Sequence, residues 1–263
     1  MDAIITAGGQ SLPGDSLYEI TGVKKKALIP LSGRPMISWV AEALLDSGVV
    51  DNLVIVGLQA SEVEINGPAV HFIEAADGLI DNILVGLNRL KQINPAAKKI
   101  LLCSSDIPLI TPEIVRGFVA ECGSQTDDVY YAVVEEKTME ARFPSSRRTF
   151  IPFKGGRYSG GDLFLVDISV PDKTDLDLFR SLTGSRKNYW NQARLLGFGF
   201  IFRFLLGLMT VHDAAKRGSE ILNFEARVVV TQFAELGMDL DKPHQHAMIK
   251  TELESLQARL SRA

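Results

Sequence analysis

The feature of this sequence that most constrains its fold is the alternation of short apolar runs with amphipathic segments through the first half. The apolar runs have the length and residue types of buried strands, and the segments between them repeat apolar residues at helical spacing. Strand patterns lie at 3–6, 53–57, 71–75 and 99–104, and helix patterns lie at 35–48, 79–90 and 111–122. Alternation of this kind produces a parallel sheet with helices on both faces, and ligands bind at the carboxyl ends of the strands.

The second half of the chain is less regular, although strand patterns continue. They lie at 128–135, 149–153, 162–167 and 226–231, before a helix pattern at 244–261. The whole pattern predicts an α/β fold in which helices flank a Rossmann-like, mostly parallel sheet. We expect residues 1–263 to form a single domain, with a small lobe at 136–225 that is not an independent unit.

Composition limits the classes of function. Of the 263 residues, 46% are hydrophobic and 23% are charged, which is typical of globular proteins. A net charge of −4 gives no general basic face, so we expect no nucleic acid as partner. Cys103 and Cys122 lack the spacing of a metal site or a disulfide framework. The sequence begins with a strand pattern and lacks a basic region followed by an apolar one, so we expect no secretory signal and a cytoplasmic location.

One apolar segment raises the question of membranes. It reads LLGFGFIFRFLLGLMTV at 195–211 and carries Arg203 near its middle. The segment is slightly short for a spanning helix, and an arginine at its centre is costly in hydrocarbon. We therefore predict a buried or groove-forming helix and expect no membrane association, although contact with a membrane surface stays open.

A glycine-rich turn, TAGG at 6–9, follows the first strand pattern directly. Glycines at this place let backbone N–H groups approach an anion, and three successive lysines at 24–26 can neutralise phosphate charge. The spacing matches neither the P-loop nor the dinucleotide-binding pattern. Taken alone, the stretch is better explained as an ordinary turn followed by a solvated lysine run.

A second candidate is Asp106, which follows a buried strand pattern in SSDIPLIT at 104–111. A carboxylate at the carboxyl end of a strand can hold a hard cation such as Mg²⁺, which favours a few carboxylate oxygens together with phosphate oxygens. The alternative is that Asp106 only stabilises a turn, since aspartate favours that geometry.

Three stretches together resemble the signature of the MobA-like nucleotidyltransferase family, which includes molybdenum cofactor guanylyltransferase and sugar-phosphate nucleotidylyltransferases. The stretches are TAGG at 6–9, KKAL at 25–28 and LSGRPMI at 31–37. The resemblance implies a GT-A-like nucleotidyltransferase fold in which Lys26 is the catalytic lysine and Asp106 binds the metal, Mg²⁺. It further implies that the nucleotide contacts Ala7, Gly8 and Gly9.

Two more stretches extend this resemblance. GMDLDKPHQHAMI at 237–249 is similar to the family segment that supplies a second metal contact, which corresponds to Asp241, with Asp239 as a weaker candidate. EAADGLIDNILVGL at 74–87 stands where related enzymes read the base, which makes Gly78 and Asn82 candidates, although both suit an ordinary helix start. His244 and His246 are spaced two apart and make a poor metal pair on a helix.

The 136–225 lobe is the expected acceptor side. Arginines there suit the recognition of a phosphate by forked donors, although they could equally face water, and a glycine turn before a strand resembles the family's acceptor-binding turn. The candidate acceptor-binding residues are Arg142, Arg148, Gly160, Gly161 and Asp162.

The resemblance implies an enzyme that transfers a nucleotidyl group from an NTP to a phosphorylated sugar, polyol or cofactor and releases pyrophosphate. The sequence departs from the family pattern in the glycine-rich loop after the first strand. The family usually carries an arginine in this loop, whereas residues 8–23 contain no basic residue. Two alternatives stay open: a metal-dependent glycosyltransferase that uses a nucleotide sugar, and a non-catalytic nucleotide-binding protein. A glycosyltransferase of this kind would typically carry D-x-D after the strand. Here the residue two positions after Asp106 is Pro108 instead of a second aspartate.

Overall fold

The structure is a computed structural model that describes residues 1–65, 67, 69–184 and 198–260. The strands in these ranges are β1 Asp2–Thr6, β2 Pro30–Leu31, β3 Arg34–Pro35, β4 Leu53–Val56, β5 Val70–Ile73, β6 Lys99–Ser104, β7 Val129–Glu135, β8 Ile151–Phe153, β9 Gly156–Asp167 and β10 Ala226–Thr231. β2 and β3 form a separate antiparallel pair, and the other strands form one eight-stranded sheet.

Helices connect most of these strands. In the described ranges they are α1 Ser16–Thr21, α2 Met36–Leu45, α3 Leu79–Ile93, α4 Pro112–Glu121, α5 Glu136–Arg142, α6 Val170–Lys173, α7 Leu176–Gly184, α8 Phe198–Leu205, α9 Val211–Leu222 and α10 Pro243–Leu260. Two short 3₁₀ helices lie at Lys26–Leu28 and Ala234–Gly237. α4 starts as its sequence predicts, because the Thr111 side chain accepts a hydrogen bond from Ile114 N and Pro112 follows at the first helical position.

The sheet confirms the predicted fold class. Its strand order is β10, β7, β9, β6, β1, β4 and β5, with β8 paired to β9. Neighbouring strands are parallel, except where β9 is one of the pair. Since β9 lies between β7 and β6, the 136–225 lobe contributes a strand to the central sheet. That the lobe and the rest of the chain form a single domain stays a prediction.

Burial explains why the strands form where they do. All four residues of β4 are buried, as expected for a parallel strand covered on both faces. Side chains of β1 alternate between those faces: Ala3 and Ile5 pack in the cluster that contains Val40 of α2, whereas Ile4 packs with Leu87 of α3. The two sides of the sheet therefore have separate apolar cores.

Strand register sets the position of the loops. Thr6 of β1 is aligned with Ser104 of β6 on one side and with Val56 of β4 on the other. The loops that follow β1, β4 and β6 therefore begin side by side at one edge of the sheet. This is the edge at which parallel α/β sheets bind ligands.

The prediction of one long buried helix over 195–211 is wrong in its described part. α8 ends at Leu205, Gly207 adopts a left-handed conformation with φ +66°, and α9 begins at Val211. The side chains of Phe202 and Leu205 are 64% and 75% exposed. Residues 195–197 lie outside the described ranges. Every helix in those ranges is too short or too polar to span a bilayer.

Candidate active site

A cleft of about 440 Å³ opens at the carboxyl edge of the sheet. Its walls are the glycine turn after β1, the start of α3 and the segment after β6. The lining residues are Thr6, Gly8, Gly9, Lys26, Ala76, Asp77, Gly78, Leu79, Asn82, Ser104, Ser105 and Asp106. The cleft therefore brings together five candidate nucleotide-binding residues and Asp106, while Ala7 lines a smaller adjoining cleft.

Close backbone packing shapes the glycine turn. A Cβ atom at Gly57 would lie 2.5 Å from the backbone nitrogen of Gly8, and Gly57 has φ +111°. A Cβ atom at Gly8 would lie 2.9 Å from Nδ2 of Asn82. Asn82 in turn accepts a hydrogen bond from Ala76 N at 2.7 Å. Glycine at 57 thus lets the loop after β4 approach the turn, and glycine at 8 lets the turn approach Asn82 at the start of α3.

Backbone pairing places Lys26 against the same turn. Lys26 N donates to Gly9 O at 3.0 Å, and Gln10 forms an isolated antiparallel bridge with Lys25. The Lys26 ammonium lies 3.2 Å from Oδ1 of Asp241, whereas the Lys25 ammonium pairs with Glu62 at 2.6 Å. Of these two successive lysines, Lys26 is therefore the one directed at the acidic group.

That acidic group contains Asp106, Asp239 and Asp241, each with a carboxylate oxygen within 4.8 Å of the others. Leu240 N donates to Asp106 O at 2.8 Å, which joins the two segments that supply the carboxylates. Burial raises the pKa of Asp106, and the charge of Asp241 adds to this, whereas the Ser104 hydroxyl, which donates at 2.5 Å, and Lys26 oppose it. A partly buried carboxyl with other carboxylates beside it favours an added cation.

A family model described as a MobA-like NTP transferase domain matches residues 3–155, which include the glycine turn, Lys26 and Asp106. The chain belongs to the MobA-like NTP transferase family. Its fold is also that of a protein described as a hypothetical transferase from Thermus thermophilus, with 32% identity and TM-score 0.79 over 93% of this chain and 98% of that one.

Two more distant structures share the fold. CMP:2-keto-3-deoxy-manno-octonic acid synthetase, in complex with CTP, has 15% identity and TM-score 0.57, over 97% of this chain and 98% of that chain. 4-Diphosphocytidyl-2C-methyl-D-erythritol synthase from Anaerococcus prevotii has 10% identity and TM-score 0.58, over 96% and 97%. At these identities the similarity concerns the fold alone.

The donor set of this MobA-like protein fits a hard divalent cation. Such ions bind carboxylate oxygens and retain sites for phosphate oxygens and water. Asp106 and Asp241 match the two predicted ligands, and Asp239, the weaker candidate in the sequence, lies in the same group. His244 and His246 are absent from this group; instead, the ring of His244 hydrogen-bonds the backbone oxygen of Ser146.

Of the predicted acceptor-binding residues, Asp162 and Arg148 lie near the acidic group. Burial raises the pKa of Asp162 to about 7, with added contributions from the charges of Asp106 and Asp241, while Arg148 opposes the shift. Arg148 forms an ion pair with Asp239 and donates to the Ser159 hydroxyl at 3.4 Å. Arg148 thus contacts the acidic group, and Asp162 lies within electrostatic range of it.

Three other acceptor candidates have structural partners instead. A Cβ atom at Gly160 would lie 2.0 Å from the Tyr131 hydroxyl, and one at Gly161 would lie 3.0 Å from the Ala132 Cβ, so both glycines permit close packing in the sheet. Arg142 pairs with Glu235 at 2.9 Å and with Glu252 at 2.6 Å. Arg142 does not line the cleft, and the acceptor role of all three stays a prediction.

Sequence reasoning missed Gln245. Its side chain is only 1% exposed, and its Oε1 accepts hydrogen bonds from Asp241 N at 3.0 Å and Lys242 N at 2.8 Å. It thereby fixes the backbone that carries Asp241. A glutamine at the third position of a helix commonly reaches back to the helix start, and Pro243 marks that start, so this signal was present in the sequence.

Proposed function

We propose that this protein is a magnesium-dependent nucleotidyltransferase that moves an NMP group from an NTP to a small phosphorylated acceptor. The observation that carries the proposal is the convergence of a glycine turn, the Lys26 ammonium and three carboxylates at one edge of the sheet. Membership of the MobA-like family supports the same reaction class.

The cleft supplies groups for a triphosphate. Backbone N–H groups of Gly8 and Gly9 would contact its oxygens, and the start of α3, with Gly78 and Asn82, would face the base. Lys26 is partly exposed and can turn from Asp241 to a phosphate oxygen. Its charge would then stabilise the negative charge that develops as pyrophosphate leaves.

Asp106 and Asp241, with Asp239 beside them, would hold the divalent cation. When bound, such an ion would neutralise charge on the phosphate oxygens and orient them for in-line transfer. Ser104, Leu240 and Gln245 position the ligands through the hydrogen bonds described above.

The reaction needs no general base, because an acceptor phosphate is already ionised near neutral pH. An acceptor oxygen would form the new bond to the α-phosphorus, and the bond from that phosphorus to the bridging oxygen of the leaving pyrophosphate would break. We expect the acceptor to approach on the side of the acidic group where Arg148 lies, with Asp162 nearby. A role for Arg142 in binding would require release of its two glutamate partners.

Since both substrates are small molecules of metabolism, we expect the protein in the cytoplasm.

The test is a screen of the four NTPs for pyrophosphate release, with Mg²⁺ and pools of sugar, polyol and cofactor phosphates. We expect one NTP and one acceptor pool to give turnover, and Asp106→Asn to lower it by about 100-fold or more. Asp46→Asn, which removes an exposed carboxylate at the end of α2, is the matched control and should keep full activity. Undiminished activity in Asp106→Asn would contradict the metal-binding role.

A further inference from the structure

Arg148 lies in the segment between α5 and β8, on the acceptor side of the acidic group. Its guanidinium is paired with Oδ1 of Asp239, and each of these two side chains is 14% exposed. By contrast, the Lys26–Asp241 pair is more open, with exposed fractions of 27% and 49%. Two of the three clustered carboxylates are therefore paired with a cationic side chain of the protein. The Arg148–Asp239 pair is the more deeply buried of the two.

The Arg148 guanidinium is held mainly by this one charge pair. Its Nη2 donates to the Ser159 hydroxyl at a long 3.4 Å, and its Nε is buried without a hydrogen-bond partner among the described residues. Buried guanidinium groups usually form several charge-assisted bonds in a forked arrangement. The pairing therefore leaves hydrogen-bonding capacity unused and is a contact that another arrangement could replace.

Arg148 and a divalent cation would compete for the same carboxylate. Oxygens of Asp239, Asp106 and Asp241 lie within 4.8 Å of one another, so an ion held by the group would be close to the guanidinium on Asp239. The bound cation and the Arg148 guanidinium would repel each other, and this repulsion is only weakly screened where side chains are buried. Occupation of the group by a metal ion thus disfavours the Arg148–Asp239 pair.

We propose that Arg148 is the internal counter-ion of the acidic group in the metal-free protein and releases Asp239 to serve as a third carboxylate ligand when a divalent cation binds. The inference rests on the proposed function and adds to it a residue that sets the metal affinity. Arg148 is therefore a positioning residue. Its release on the acceptor side would also make its forked donors available to an anion, which couples the two binding events.

The test is a set of Mn²⁺ titrations without nucleotide, in which free Mn²⁺ is measured by electron paramagnetic resonance. The variants are Arg148→Gln, Asp239→Asn and the double variant. We expect Arg148→Gln to bind Mn²⁺ about threefold to thirtyfold more tightly than the wild type, because a nearby positive charge is removed. Asp239→Asn should weaken binding and should abolish the gain in the double variant. Unchanged or weaker binding by Arg148→Gln would overturn the inference.

Arg147→Gln is the matched control, because it removes the charge of the adjacent, exposed arginine and should leave Mn²⁺ affinity within twofold of wild type. If Arg148→Gln does not fold, the wild type provides a second test through the Nε–H nuclear magnetic resonance signal of Arg148, assigned with Arg148→Lys. This signal should move during a Mg²⁺ titration. A stationary Arg148 signal, while the amide signal of Asp106 moves, would overturn the inference.

These measurements separate the inference from the function on which it rests. If the wild type binds no Mn²⁺ with or without NTP, both the proposed metal-dependent function and the role of Arg148 are wrong. If the wild type binds Mn²⁺ and Arg148→Gln shows no gain, the inference alone is wrong.

Discussion

At the residue scale, two successive lysines differ in what they contact, and Lys24 beside them is exposed. We expect Lys26→Ala to lower kcat/KM by about 10²- to 10³-fold, because the charge that we propose stabilises the leaving pyrophosphate is lost. Lys24→Ala removes the same type of charge from an exposed position and should change kcat/KM by less than about threefold. Steady-state pyrophosphate release measures both, and equal losses in the two variants would contradict the assignment of Lys26.

Asp162 allows a prediction about pH. Burial raises its pKa from 3.8 to about 7, so in this window the folded protein binds a proton that the unfolded chain does not. Ionisation of Asp162 therefore favours unfolding, and stability is lost as pH rises through the window. In the metal-free protein, Asp162→Asn should stabilise more at pH 8 than at pH 5. Urea denaturation of both proteins at the two pH values measures this, and a pH-independent difference would contradict it.

The sequence predicts some site residues better than others for a physical reason. Gly8, Lys26 and Asp106 belong to short local patterns, and each pattern stands next to a strand end that the apolar periodicity already indicates. The Arg148–Asp239 pair joins two residues that are far apart in the sequence, and it depends on how the loop before β8 packs. A tertiary contact of this kind leaves no local signal in a single sequence.

At the element scale, the approach of the loop after β4 to the glycine turn strongly restricts substitution at Gly57. Gly57→Ala would place a Cβ atom 2.5 Å from Gly8 N at φ +111°, so both steric overlap and backbone strain oppose it. We expect a loss of at least about 3 kcal/mol in the free energy of unfolding.

Gly14→Ala is the matched control for Gly57→Ala. Gly14 has a similar φ of +97°, but no atom lies within 4 Å of its added Cβ, so only backbone strain remains. We expect a loss of about 1 kcal/mol. Urea denaturation measures both variants, and equal losses would show that contact with Gly8 does not limit position 57.

Elements differ in how far the sequence determines them. Among the first four strands of the main sheet, β1 and β4 are buried and β5 and β6 are partly buried. Their apolar runs predicted all four with only small errors in their bounds. β9 is twelve residues long, whereas its apolar pattern predicted only the end at 162–167. The earlier part contains Gly160 and Gly161, whose strand conformation depends on packing against β7. In the apolar segment, Gly207 ends the helical pattern early.

At the scale of the whole molecule, we expect the proposed ligands of the acidic group and the cleft to couple binding to folding. Asp106, Asp239 and Asp241 lie close together, so the cation and the nucleotide proposed to bind there would stabilise the folded state. At 100 times the dissociation constant, the gain is about 2.7 kcal/mol, which corresponds to a rise in Tm of about 5 to 10 °C. Differential scanning fluorimetry with Mg²⁺ and the preferred NTP measures it.

The same experiment with Asp106→Asn provides the control for this stabilisation. This variant removes one charge from the acidic group, so it should start from a higher Tm and gain less from Mg²⁺ and NTP. A gain as large as that of the wild type would show that the ligand binds without the acidic group.

The central claim is that the bond between the α- and β-phosphates of an NTP breaks and the NMP group joins the acceptor. The most direct measurement follows two labels, one in the α-phosphate and one in the γ-phosphate of the preferred NTP, during turnover with its acceptor. We predict that the α label appears in the acceptor product and the γ label in pyrophosphate, in equal amounts. Release of the γ label as inorganic phosphate, with the α label left in NDP, would contradict the claim.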